Sequence, residues 1–376
     1  GQPKTGVVTC RIPSSYVPLY KLMYSPVDAM QQFREGRSWL EYLKIARGTA
    51  AAVRAVHGKG MAHGDIHLKN FLANPATGKV VLLDLDGLIV KGFLPPQVIG
   101  MMGFIAPEVL MQKSKPDVLT DRYSLAVLIL WTLLLRNVML PQKCFDPDDT
   151  ELDDILGYGQ FACFSENSND RSNWFSGIGT PLLRKGQLSY TALTPKLQEL
   201  TKQTLITALH DPQKRPQALE WERALAEAYD VLIGCTNCHQ SFFYQYWLQP
   251  PPRRSCPFCG MGIRSPFPSV LDLMEEKSKG MYTFIRSVII YQNMPLFIDV
   301  TEPGRYPPFA RRGTPVIGLA NWDSKEGRYR LVNKSNSIWS VIGSDNHAVG
   351  RDSSIVLKPG TVFSFGNGKR LARVRE

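Results

Sequence analysis

Eight consecutive residues, His63-Gly64-Asp65-Ile66-His67-Leu68-Lys69-Asn70, gather an acid, two imidazoles, a lysine and an amide in one short segment. Fourteen positions beyond Asn70 stands Asp84-Leu85-Asp86-Gly87, directly after the apolar run Val80 to Leu83. Transfer of a phosphoryl group from a magnesium nucleotide uses groups of this kind in this order. One carboxylate orients the attacking hydroxyl and takes its proton, while an amide oxygen and a second carboxylate hold hard cations against phosphate. Taken alone, H-x-D with Asn five residues on is a weak pattern that loop hydrogen bonding also explains, and Asp84 alone reads equally as a solvated acid at a strand end. A second cluster has a different chemistry. Cys235-x-x-Cys238 and Cys256-x-x-Cys259 are separated by seventeen residues, a spacing typical of structural zinc. Each pair presents two thiolates, and four sulfurs close a tetrahedral shell with no open position for catalysis. Gly260 fits a knuckle turn, and His239 lies beside the cluster without being needed as a ligand.

The elements that must position these groups are legible from apolar periodicity. Trp39, Leu40, Leu43, Ile45, Ala46, Ala50, Val53 and Val56 recur at helical spacing and predict a helix from Ser38 to His57, stopped by Gly58 and Gly60. Val80 to Leu83 predicts a buried strand, residues 6–12 another, and residues 121–135 a buried helix. The apolar run Leu125 to Leu135 falls short of the ~20 residues of a membrane span. Residues 141–180 read as a solvated, loop-rich insertion, and 194–232 as two helices split at the prolines of DPQKRP. From Met281 onward β-branched and aromatic runs alternate with Gly, Asn and Pro turns, as in a β-sandwich-like domain.

Further landmarks follow in order: Gly103-Phe104-Ile105-Ala106-Pro107-Glu108, Asp121 at the head of the apolar helix, Asp211-Pro212 and Arg215-Pro216. The series resembles the protein-kinase signature set over about residues 1–232. That resemblance implies a kinase-like C-lobe with Asp65 as catalytic base and Lys69 supplying charge to phosphate. It implies Asn70 and Asp84 as ligands of magnesium and nucleotide, with Asp86 a second cofactor-binding candidate where the family has glycine. Glu108 paired with Arg215, and Asp121 bonded to the catalytic-loop backbone, take structural roles, and His63 braces the loop.

Four departures from the family pattern matter. Gly64 stands where regulated kinases carry Arg, and residues 85–107 contain no Ser, Thr or Tyr, which excludes activation by phosphorylation within that stretch. His67 replaces a lysine. Leu-Asp-Gly follows Asp84 in place of Phe-Gly. No Gly-rich loop precedes the motif, Lys4 and Lys21 are poorly placed for the nucleotide, and the N-lobe is largely absent from the sequence. The expectation is weak nucleotide binding unless an N-lobe lies upstream of Gly1, whose identity suggests a start after a cut.

The 376 residues predict several domains of α+β class: a mainly helical kinase-like domain over 1–232, a four-cysteine zinc ribbon over 233–265, a linker over 266–280 and a β-rich interaction domain over 281–376. This order, with HGDIHLKNFL, the DLD triplet, DPQKRP and the CTNC/CPFC pairs, resembles bacterial kinase-like proteins of the tellurite-resistance type. Such a resemblance implies Ser/Thr phosphotransfer with Mg-ATP in stress or defence signalling, alongside a von Willebrand A-domain protein and a PP2C phosphatase. A pseudokinase adaptor docking partners through the ribbon and β domain is the alternative. The net charge of +11 leaves a nucleic-acid-binding reading third, because the basic residues are scattered in pairs such as Arg253-Arg254 and Arg311-Arg312. Cys10, Cys144 and Cys163 stand apart from the two cysteine pairs, an odd count that predicts a reducing, cytoplasmic setting.

Overall fold

The Ser38–Glu41 pair starts the helix that leads into the His63–Asn70 segment. Ser38 donates its backbone N–H and its hydroxyl to the Glu41 carboxylate at 2.9 and 2.7 Å, a capping box that satisfies the exposed end of Trp39–His57. The second helix, Val118–Leu134, opens on Asp117, which accepts from the N–H groups of Leu119 and Thr120. It closes on Leu135 in the left-handed conformation. Leu125, Val127, Leu128, Ile129 and Leu130 are fully buried in it, each side chain worth about 1.5–3 kcal/mol of burial. The two helices are joined by Trp39, whose ring N–H donates to the Leu133 carbonyl at 2.9 Å.

We describe the protein from a computed structural model over residues 10–24, 26–248, 255–308, 313–343, 346–366 and 368–375. By chain contacts it divides into two units, one of residues 1–175 and 200–219, the other of 176–199 and 220–376. The first is helix-rich, with a small antiparallel sheet of Val17–Pro18, Phe71–Ala73 and Val80–Leu82 and a two-strand pair of Met61–Ala62 with Ile89–Val90. The expected strand over 6–12 lies outside the described residues except at Cys10, Arg11 and Ile12, which are irregular. No helix among the described residues is long and apolar enough to cross a membrane.

In the second unit two antiparallel sheets share one apolar core. Four strands run in the order Pro295–Phe297, Val316–Asp323, Arg328–Asn333, Ser354–Val356. Six run in the order His347–Val349, Trp339–Ile342, Val362–Phe365, Arg370–Val374, Ser269–Ser278, Met281–Ile290. Leu271, Leu273, Val288, Leu296, Leu331, Trp339 and Phe363 fill the space between them. The expected linker over 266–280 is therefore corrected: Ser269–Ser278 is an inner strand, paired on both sides. Its charged second half hid it in the sequence. Ile298–Thr301, expected as part of a β run, is one helical turn, because Asp299 turns inward to Arg286.

The stretch 141–180 is not a solvated insertion throughout. Arg136 binds the Ser165 hydroxyl at 2.8 Å and the Glu166 carboxylate at 2.5 Å, and all three residues are buried. An acid thus lies inside because a guanidinium thirty residues away is buried with it. Residues 176–199, expected inside the first domain, belong to the second unit. Leu182 and Leu183 donate their N–H groups to the carbonyls of Pro257 and Phe258 at 3.0 and 2.7 Å.

Candidate active site and candidate metal centre

Asp121, in the first turn of the buried helix, reaches back to the segment that begins at His63. Its carboxylate accepts the N–H of His63 at 2.7 Å and that of Gly64 at 2.9 Å, with His57 Nε2 at 3.0 Å. This one side chain shapes the turn on which Asp65 is mounted. Gly64 has φ +79°, and a Cβ built on it would meet Ile89 Cδ1 at 2.6 Å. A glycine at this position therefore follows from backbone geometry, since an L side chain would be both strained and crowded.

Asp65 is half-buried, with its two oxygens in different surroundings. Oδ2 takes the Nε2 of His67 and the Nδ2 of Asn70, both at 3.1 Å, and Asn70 also donates to the Asp65 carbonyl at 2.9 Å. Oδ1 is buried with no hydrogen-bond partner. Burial works to raise this carboxyl. The hydrogen bonds from His67 and Asn70 outweigh it and hold Asp65 below the usual range. Asn70 is fixed by its own carbonyl, which accepts the N–H of Leu83 at 2.8 Å. That bond places the end of the Val80–Leu82 strand, and so Asp84, beside the loop.

Asp84 and Asp86 are exposed, and Asp84 adopts φ +58°, a left-handed conformation that aspartate tolerates better than most residues. A hydrogen bond that the protonated Asp84 carboxyl gives to Asp86, then burial and the charges of Asp86 and Asp65, hold Asp84 above the usual carboxylate range. Hard oxygen donors crowded until they repel one another are a set that a divalent cation suits. Asp65, Asn70 and Asp84 thus come together, with Asp86 at their margin. Lys69 is exposed, and its contribution to the loop is its backbone N–H, given to His67 Nδ1 at 3.0 Å. The residue that sequence reasoning underrated is His67, treated there as a missing lysine; its place two residues from the acid was the available signal.

Behind this site Arg215 holds Glu108 in a bidentate pair at 2.7 and 2.8 Å. It also donates to the carbonyls of Ala208 and Leu209 and lies over the Tyr123 ring.

In the second unit, the ligand atoms of Cys235, Cys238, Cys256 and Cys259 all lie within 4.8 Å of one another. Cys235 and Cys259, and likewise Cys238 and Cys256, have their sulfurs 3.6 Å apart. A tetrahedral ion with Zn–S bonds of about 2.3 Å sets its sulfurs about 3.8 Å apart, so the donors fit. The two turns are alike. His239 N–H donates to the Cys235 carbonyl at 3.0 Å and Gly260 N–H to the Cys256 carbonyl at 2.8 Å, and both residues have positive φ. The first turn caps the hairpin Leu232–Gly234 with Ser241–Phe243. Burial, the leading cause, pushes the Cys238 thiol up to about 11 and Cys256 higher still. Cys259 goes the other way, held down at about 7 against its burial by hydrogen bonds from Asn237 and Met261 and by its neighbouring cysteines, and a cation among the four sulfurs would favour the thiolate of each.

A sequence profile described as protein kinase domain matches residues 27–228. Over 108 residues the chain is 32% identical to a dual serine/threonine and tyrosine protein kinase of Apis mellifera, covering 29% of this chain and 11% of that protein. Proteins of the same description from Takifugu rubripes and Danio rerio are each 29% identical over 124 residues, or 32% of this chain. The matches span only 13% and 14% of their lengths.

Proposed function

The chain belongs to the protein kinase domain family, and from that premise we propose that it transfers phosphate from a magnesium nucleotide to a serine or threonine hydroxyl of a protein. The observation that carries this reading is the asymmetry of Asp65: one oxygen held by two donors, the other buried and unpartnered. Oδ1 is the atom that accepts the proton of the acceptor hydroxyl. The Asn70 amide donates its N–H to Asp65, which turns its oxygen to the cation, and Asp84 supplies the principal carboxylate, with Asp86 second. Bound magnesium nucleotide supplies the phosphoryl group and neutralises the charge that Asp84 and Asp86 gather. Lys69 offers positive charge at the rim. The kinase-like C-lobe is the helix-rich unit, and the four cysteines hold a structural zinc ion.

The decisive assay follows phosphate from labelled Mg-ATP into a protein acceptor. Asp65→Asn lowers the rate by roughly 10²–10⁴ while the melting temperature holds; undiminished transfer by this variant removes the reading. The adaptor alternative rests on the cysteine cluster and the β-sandwich, two regions that do no phosphotransfer, and it predicts no transfer by the wild-type chain at all. We place the activity in bacterial stress or defence signalling in the cytoplasm, with a von Willebrand A-domain protein and a PP2C phosphatase as partners. Co-purification of either from the native host tests that setting.

A further inference from the structure

Two imidazoles flank Asp65, and hydrogen-bond arithmetic fixes the proton on each. A backbone N–H can only donate, and an ionised carboxylate or a carbonyl can only accept. His67 Nδ1 lies 3.0 Å from the N–H of Lys69, so this nitrogen carries a lone pair. His67 Nε2 lies 3.1 Å from Asp65 Oδ2, so this nitrogen carries the hydrogen. His63 repeats the arrangement, its Nδ1 taking the N–H of Asp65 at 3.3 Å and its Nε2 facing the Leu83 carbonyl at 2.9 Å. Each ring accepts a backbone N–H two residues downstream, and a second proton on either would set N–H against N–H. Their outward bonds differ. His63 ties the loop to Leu83, next to Asp84, whereas His67 ties the Asp65 side chain itself.

We propose that His67 is a positioning residue for phosphotransfer: a neutral imidazole, protonated at Nε2 alone, that pins Asp65 Oδ2 and so aims Oδ1 at the acceptor hydroxyl. This rests on the reading of Asp65 as the base. His67 is buried and its ring packs near Phe104, with centroids 6.3 Å apart, so its own position is set by the fold. With His67 and Asn70 both on Oδ2, the carboxylate cannot turn about its last bond without breaking two hydrogen bonds at once. Where a lysine would bring a positive charge, His67 brings direction and no charge.

The test pairs kinetics with a signal that activity does not move. His67→Ala lowers kcat about 10–100-fold, the scale of a reacting group displaced by roughly an ångström, with KM for nucleotide and acceptor unchanged. His67→Gln keeps an N–H donor at the same reach and recovers most of kcat. In wild-type protein at pH 7, the ¹⁵N spectrum of the His67 ring, assigned by its loss in His67→Gln, shows Nε2 protonated and Nδ1 bare. A ring protonated at Nδ1, or at both nitrogens, overturns the proposal, as does full kcat in His67→Ala when Asp65→Asn is inactive. Transfer that survives Asp65→Asn strikes the reading of Asp65 instead and leaves the tautomer to be judged by its spectrum. Should His67→Ala fail to fold, the Gln variant and the wild-type spectrum still decide.

Discussion

The four cysteines and the Asp65 loop are both clusters of polar ligands, built on opposite plans. The cysteine cluster is local and closed: its sulfur pairs are 24 and 18 residues apart in sequence, and a single ion would satisfy all four donors. The Asp65 site is assembled from afar and leaves one acceptor without a partner. Asp121 acts on amides 57 and 58 residues away, and Arg215 on an acid 107 residues away. In the middle of all these satisfied bonds, Asp65 Oδ1 has none. A closed shell marks a group that holds structure together. A buried acceptor without a partner, beside one held twice, is the arrangement on which the proposed phosphotransfer rests.

Removing the ion is the hardest blow to the closed side of that contrast. Elemental analysis should find about one zinc per chain. Chelation should then melt the pairing of Leu232–Gly234 with Ser241–Phe243, since such binding is worth on the order of 10 kcal/mol. Hydrogen-exchange protection of those strands in metal-free protein would break the contrast outright. Next in size is Arg215→Ala, which strands the Glu108 carboxylate in the interior and should cost about 3–5 kcal/mol in chemical denaturation. A much smaller loss would mean that the long-range frame behind Asp65 is softer than its hydrogen bonds indicate.

Glu227 sharpens the comparison at a smaller scale, as a mostly buried acid with no ion pair among the described residues. Burial, chiefly, lifts its carboxyl from 4.5 to about 7. The folded chain thus holds this proton more tightly than the unfolded one. The resulting cost is absent below pH 4.5, grows as pH rises towards 7, and is complete above it. Glu227→Gln should therefore match wild type at the acid end and exceed it by about 1–3 kcal/mol at pH 8, in denaturant titrations at the two pH values. Equal stability at pH 8 would show that burying this acid carries no penalty.

What the sequence disclosed follows the same division. The cysteine pairs and the long helix, expected from Ser38 and found over Trp39–His57, depend on neighbours a few residues away, and spacing reveals them. The order Asp65, Asn70, Asp84 was equally visible, because loop and strand are consecutive. The inner strand Ser269–Ser278 was not. Its apolar half, Val270, Leu271 and Leu273, is short, and its partner on one side, Arg370–Val374, is about a hundred residues distant. Glu166 looked solvated because nothing nearby in sequence announces Arg136. Asp299 looked like part of a strand because its partner, Arg286, which also binds Asp230 at 2.7 Å, lies thirteen residues upstream. Polar groups read as surface unless their partner is adjacent, and for Glu166 and Asp299 it is not.

Residues 176–199 interrupt one unit with material from the other, so the polypeptide passes between them three times. No single peptide bond separates the two. A shortened protein ending near residue 232 would keep Leu182 and Leu183 and discard the carbonyls of Pro257 and Phe258 that receive their N–H groups. Such a fragment would carry the whole kinase-matched stretch and still be missing part of the framework in which that stretch folds. Deleting the cysteines to obtain a minimal kinase domain would leave an unstitched hem in that domain itself.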